Sequence, residues 1–174
     1  MVRRLPVFSS SADEDERPAW QWTGVGVIFV YAIWMPLSMA GTWVSTRFIG
    51  RTFGDAPQEE LTHLVTEAPA ATRIGLGLVT LALPMACYAF ACWAAGALIG
   101  RFGGRVTPRH ATVAGVLSAL LAVAMIVPTS RSGASSAALL LLVPIGGLAA
   151  WLGGRFGVRL RHRSFLRPPP PTPG

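Results

Sequence analysis

The sequence predicts an all-α integral membrane protein with four transmembrane helices, and three observations carry that prediction. Hydrophobic residues make up 52% of the 174 positions and charged residues only 13%, half the roughly 25% of a soluble domain. Mean hydropathy is +0.49. The apolar residues gather in blocks at about 20–43, 74–100, 111–128 and 134–154, each long enough as a helix to cross a hydrocarbon core of about 30 Å.

Residues 1–19 mix Ser, Pro and charge without apolar periodicity and predict a disordered tail. The first block has Trp20 and Trp22 at one end and Trp43 at the other, where tryptophan sits at the headgroup level. Ser38-Met39-Ala40 fits a small-x-small cleavage site, but the apolar run is too long for a leader and an acidic tail precedes it, so the block reads as a retained span. Residues 44–73 form the only sizeable polar loop. Within it Asp55, Pro57 and Gln58 offer an N-cap, an early proline and a capping-box partner for a short amphipathic helix over about 56–68. Leu61, Leu64 and Val65 share one face of it, and Glu59, Glu60, His63 and Glu67 take another.

The second block lies between Arg73 and Arg101 and carries Pro84, which predicts a kink. The third follows the loop 101–110. The fourth contains Pro144 and gives way to an Arg- and Pro-rich tail over 158–174, leaving residues 20–157 as the membrane domain.

Charge sets the orientation. All fifteen basic residues are arginine, and all eight acidic residues precede position 68. The N-terminal tail, the loop 101–110 and the C-terminal tail hold eleven arginines against four in the other two loops. The positive-inside rule then places both termini in the cytoplasm and the 44–73 loop outside. Gly100-Arg101-Phe102-Gly103 at the end of the second block returns as Gly154-Arg155-Phe156-Gly157 at the end of the fourth, the spacing of two hairpins with the same orientation.

Two groups of residues stand out as candidate sites. Gly96 with Gly100, and Gly146 with Ala150 and Gly154, recur at fourfold spacing, which lets helix backbones approach where lipid supplies no hydrophobic drive. Arg101, Arg105, Arg109, Arg155, Arg159, Arg161 and Arg163, with His110, ring the cytoplasmic end. Guanidinium groups bind phosphate in a bidentate fashion, so anionic lipid headgroups are the expected partner there, rather than nucleic acid.

Other chemistries find little support. The chain has no lysine, which excludes Schiff-base chemistry on a side-chain amine. No Asp, Glu, His or Arg falls inside a predicted span, as proton relays and intramembrane hydrolases require. Gly133-Ala-Ser135-Ser136-Ala137 lacks the second glycine of a nucleophile elbow. Cys87 and Cys92 are about 500° apart around a helix and read as packing residues, not as a disulfide. Met35, Met39, Met85 and Met125 are soft donors of the kind Cu(I) prefers, yet no Met- or His-rich collecting segment accompanies them. Glu60-x-x-His63 is half of a di-iron pattern with no second copy. No cofactor or metal is expected.

The residues therefore point to a non-enzymatic protein of a bacterial inner membrane, an accessory or scaffold subunit that packs through Gly/Ala helix faces. A small homo-oligomeric channel or passive carrier lined by Thr80, Tyr88 and Ser118 is the alternative. A lipid-modifying enzyme using the arginine ring is the third.

Overall fold

The computed structural model describes residues 19–54, 56–103, 106–126 and 140–165. Among them the chain is helical, with no strand: α1 (Ala19–Phe53), α2 (Gln58–Glu67), α3 (Ala70–Gly77), a π turn (Leu78–Ala82), α4 (Leu83–Phe102), α5 (Pro108–Ile126) and α6 (Leu142–Phe165). Among the described residues three stretches are long and apolar enough to cross a membrane, Trp20–Phe53, Ala70–Phe102 and Pro108–Met125. The architecture is that of a helical membrane protein.

The packing follows the same logic. Buried positions are dominated by alanine, including Ala91, Ala95, Ala114, Ala119, Ala122 and Ala150, while Ile28, Met39, Phe90, Leu120 and Leu148 face outward. Water would impose the opposite arrangement. In lipid the tails solvate large apolar side chains as well as a core does, and small residues go inside because they let helices close on one another.

The loop expected over 44–73 is mostly helix. α1 continues past Trp43 to Phe53, for a length of about 52 Å. The hydroxyls of Thr42, Ser45, Thr46 and Thr52 bond back to carbonyls four residues earlier and so leave the helical ladder intact, and Arg51 in the last turn suits the negative end of the helix dipole. Gly54 ends it in the left-handed region at φ 69°, its amide donating to the Gly50 carbonyl at 3.1 Å. The short amphipathic helix is present as α2, with Leu61, Leu64 and Val65 half-buried, but the expected capping box is not its start: Pro57 is the N-cap, Gln58 is the first helical residue, and no side chain caps the helix; Asp55 lies outside the described residues. The second span begins at Ala70 and not near residue 74.

At Pro84 the helix widens where the sequence predicts a kink. The Leu83 amide donates to the Leu78 carbonyl, five residues back. That leaves the Val79 carbonyl without a backbone donor, because the amide that would serve it in the π register belongs to Pro84 and carries no hydrogen. The Ser45 hydroxyl of α1 lies 3.0 Å from it and 3.0 Å from the Gly41 carbonyl of its own helix, so its one proton is shared between the two acceptors. One proline thus produces the π turn, and a shared serine proton is the donor within reach of the carbonyl it frees.

α1 and the Ala70–Phe102 helix run antiparallel, with Gly75 beside Phe48 and Gly26 beside Ile99. α4 and α6 run parallel: Gly96 meets Ala150 and Gly100 meets Gly154. α5 lies antiparallel to α6, with Gly115 against Gly146 and Ala111 against Gly154. These registers bring the start of α1, the end of α4, the start of α5 and the end of α6 to one end of the bundle. The C-terminal helix does not stop near residue 154 but runs to Phe165, since Gly157 packs on Ala97; residues 134–139 of the expected fourth block lie outside the described ones. None of the residues from Ala70 to Ala82 is buried, whereas Tyr88, Ala91, Cys92, Ala95, Gly96, Ile99 and Gly100 are. The core therefore sits in the half of the bundle nearer the four gathered ends.

Candidate functional site

The polar centre of the bundle is built from three helices. Tyr88 of α4 and Ser118 of α5 are both 0% exposed, and their hydroxyl oxygens are 3.0 Å apart. Ser118 Oγ donates to the Gly115 carbonyl at 2.8 Å, which leaves its lone pairs to accept from Tyr88. Tyr31 of α1 donates to the Ser118 carbonyl at 3.0 Å. Cys92 is buried in the same core cluster as Tyr88.

Aromatic packing holds this circuit in place. Trp34 stands edge-on to the Tyr88 ring with centroids 5.4 Å apart and tilted against Tyr31 at 5.8 Å, separations at which edge and face quadrupoles attract. The buried Trp34 Nε1 has no hydrogen-bond partner among the described residues. Gly146 makes room for the tyrosine, since a Cβ there would come 2.9 Å from the Tyr88 hydroxyl. Each hydroxyl of the cluster has an acceptor, and no described carboxylate or imidazole stands beside them to act as a base. The arrangement clamps three helices.

Of these residues the sequence singles out Tyr88 and Ser118, as path-lining groups together with Thr80. Thr80 is instead exposed and bonds back to the Leu76 carbonyl at 2.7 Å. Tyr31 and Trp34 are not among the residues the sequence reading selects. A signal for Tyr31 exists: the chain has only two tyrosines, both fall within apolar blocks, and a phenol at that depth must find a partner.

The small residues lie at the closest helix contacts. A Cβ at Gly96 would overlap the Ala150 carbonyl oxygen, one at Gly100 that of Gly154, one at Gly153 that of Trp93, and one at Gly157 that of Ala97. Gly146 and Gly115 face each other in the same way between α6 and α5. The Gly100 and Gly154 copies of the Gly-Arg-Phe-Gly repeat thus stand side by side in parallel helices.

The arginines rim the end where the four helix termini meet. Arg101, Arg109, Arg155 and Arg159 are exposed and Arg161 is half-buried; Arg105 lies outside the described residues, as does the side chain of Arg163. Arg155 stacks over the Trp151 ring at 4.6 Å and Arg101 over Phe102 at 5.4 Å. His110 is occupied with helix capping: the Thr107 amide, just before α5, donates to His110 Nδ1 at 3.3 Å. His162 Nδ1 bonds the Val158 carbonyl at 2.9 Å.

The remaining donors are dispersed. Met35, Met39 and Met125 face outward, Cys92 is buried, and both cysteines are free. Glu60, His63 and Glu67 are exposed on α2. No group of three or more His, Cys, Asp or Glu comes together among the described residues. Comparison with protein families, with curated proteins and with solved structures finds no match to this chain.

Proposed function

We propose that this chain is a non-enzymatic accessory or scaffold subunit of a bacterial cytoplasmic membrane, with four spans and both termini on the cytoplasmic side. The observation that carries the reading is the closed interior. Tyr31, Tyr88 and Ser118 bond to one another or to helix carbonyls, and glycines bring α4 and α6 into backbone contact. What the bundle offers lies outside: apolar faces such as Ile28 and Met35 on α1 and Val113, Leu117 and Leu120 on α5, and a rim of arginines suited to anionic headgroups. A partner subunit would meet those faces, because the Gly/Ala faces hold the bundle itself together. The parallel register of α4 and α6 supports an even number of spans, with α6 contributing to the fourth.

The test is extraction from the native membrane in a mild detergent, followed by the mass and composition of the particle. A discrete particle containing other chains is the expected result. A homo-oligomer of fixed size would favour a channel, and a lone monomer would remove the subunit reading.

A further inference from the structure

The second half of α1 carries a groove of about 410 Å³ lined by Ser38, Met39, Thr42, Trp43 and Thr46. Its hydroxyl protons are not available to an anionic ligand. Ser38 donates to the Met35 carbonyl at 2.8 Å, Thr42 to Ser38 at 2.9 Å and Thr46 to Thr42 at 2.9 Å. With their protons turned back into the helix, these side chains present mainly carbon, and the Met39 and Trp43 side chains wall the groove. Met39 and Trp43 are 74% and 64% exposed, so the groove opens away from the bundle. Its lining comes from α1 alone, small side chains beside bulky ones, so the groove is shallow and open along the helix face.

The same face ends in positive charge. Met39, Trp43, Arg47 and Arg51 follow one another at fourfold spacing and therefore share one side of the helix. Arg47 and Arg51 are exposed, and the Arg47 guanidinium lies over the Trp43 ring at 5.5 Å. From Trp20 to Trp43 the helix covers about 35 Å, the span of a hydrocarbon core with a tryptophan at each interface. One turn beyond Trp43, Arg47 is at the depth of lipid phosphate.

We propose that this groove holds one anionic phospholipid, an acyl chain lying along Ser38, Met39 and Thr42 and the phosphate meeting Arg47 and Arg51 beside Trp43. The site is at the opposite end of the molecule from the arginine rim formed by α4, α5 and α6. It rests on the reading that α1 spans the bilayer and is independent of the subunit assignment. Alkaline carbonate extraction checks the first point separately: a chain released by carbonate is not integral, whatever lipid it holds.

The experiment is native mass spectrometry of the full chain released from nanodiscs of phosphatidylglycerol and phosphatidylcholine, counting retained lipid. The unmodified chain should keep one more phosphatidylglycerol than Arg47→Gln/Arg51→Gln, whose apparent affinity at this site falls roughly thirtyfold at about one phosphate-level contact per arginine. Thr42→Trp fills the groove without changing charge and should lose the same lipid, whereas Arg155→Gln/Arg159→Gln should keep it. Retention unchanged in both α1 variants overturns the proposal. Loss with the arginine variant alone would mean diffuse attraction without a groove, and loss with Thr42→Trp alone would mean a chain site indifferent to charge; either result also overturns it.

Discussion

Glycine is the residue on which this bundle depends most directly. At Gly153 a Cβ would overlap the Trp93 carbonyl oxygen, which is backbone and cannot rotate away. Gly153→Leu should lower stability by about 3 kcal/mol or prevent the fold, read as a fall in thermal midpoint in detergent. Gly24 is different: a Cβ there would meet nothing within 4 Å, so Gly24→Ala should leave the midpoint unchanged or raise it slightly. The hydroxyl cluster supplies a second residue-scale expectation. Tyr88→Phe should cost about 1 kcal/mol, because Ser118 keeps its bond to Gly115. A double-mutant cycle of Tyr88→Phe with Ser118→Ala should return a coupling of about 0.6 kcal/mol, the usual size of a hydrogen bond between membrane helices. A coupling of zero would remove the clamp as an account of the centre.

Among the elements, the helix from Ala70 to Phe102 turns on Pro84. With an amide at that position the helix can return to the α register, and removing the π insertion rotates everything before it by about 100° relative to the core. In Pro84→Ala, Gly75 should swing away from Phe48, beside which it now lies, and Ser45 should lose the Val79 carbonyl. Phe48→Cys with Gly75→Cys, in a chain whose Cys87 and Cys92 are replaced, should be joined by a short bifunctional thiol reagent. Adding Pro84→Ala should cut the yield several-fold. Equal yields would show that the turn does not depend on the proline.

For the molecule as a whole, the expectation concerns orientation. Reporters fused at the two ends of the chain should register on the same side of the membrane, the cytoplasmic one. Replacing Arg101, Arg105, Arg109, Arg155, Arg159 and Arg161 by Gln removes six of the eleven arginines on that side and leaves nearly equal numbers on the two faces. The chain should then insert in both orientations, seen as accessibility of both ends from either side. A single retained orientation would mean that packing, not charge, decides topology.

The helices and their apolar run lengths are legible in the residues because they are local properties that need no partner to be read. The amphipathic α2 and the disturbance at Pro84 are visible for the same reason. The continuation of α1 to Phe53 is not, since Ser and Thr near Arg47 look like a loop until their hydroxyls are seen to bond back into the helix. The fourfold glycine spacing marks faces able to pack closely, without saying which helices meet. Only the tertiary structure sets Gly96 on Ala150 and Gly153 on Trp93, gathers Tyr31, Trp34, Tyr88 and Ser118 from three helices, and gives Ser45 the carbonyl that Pro84 frees. A span is decided by the transfer of one segment from water to lipid, while a contact between spans depends on the rotation and depth of two helices at once, which no single segment encodes.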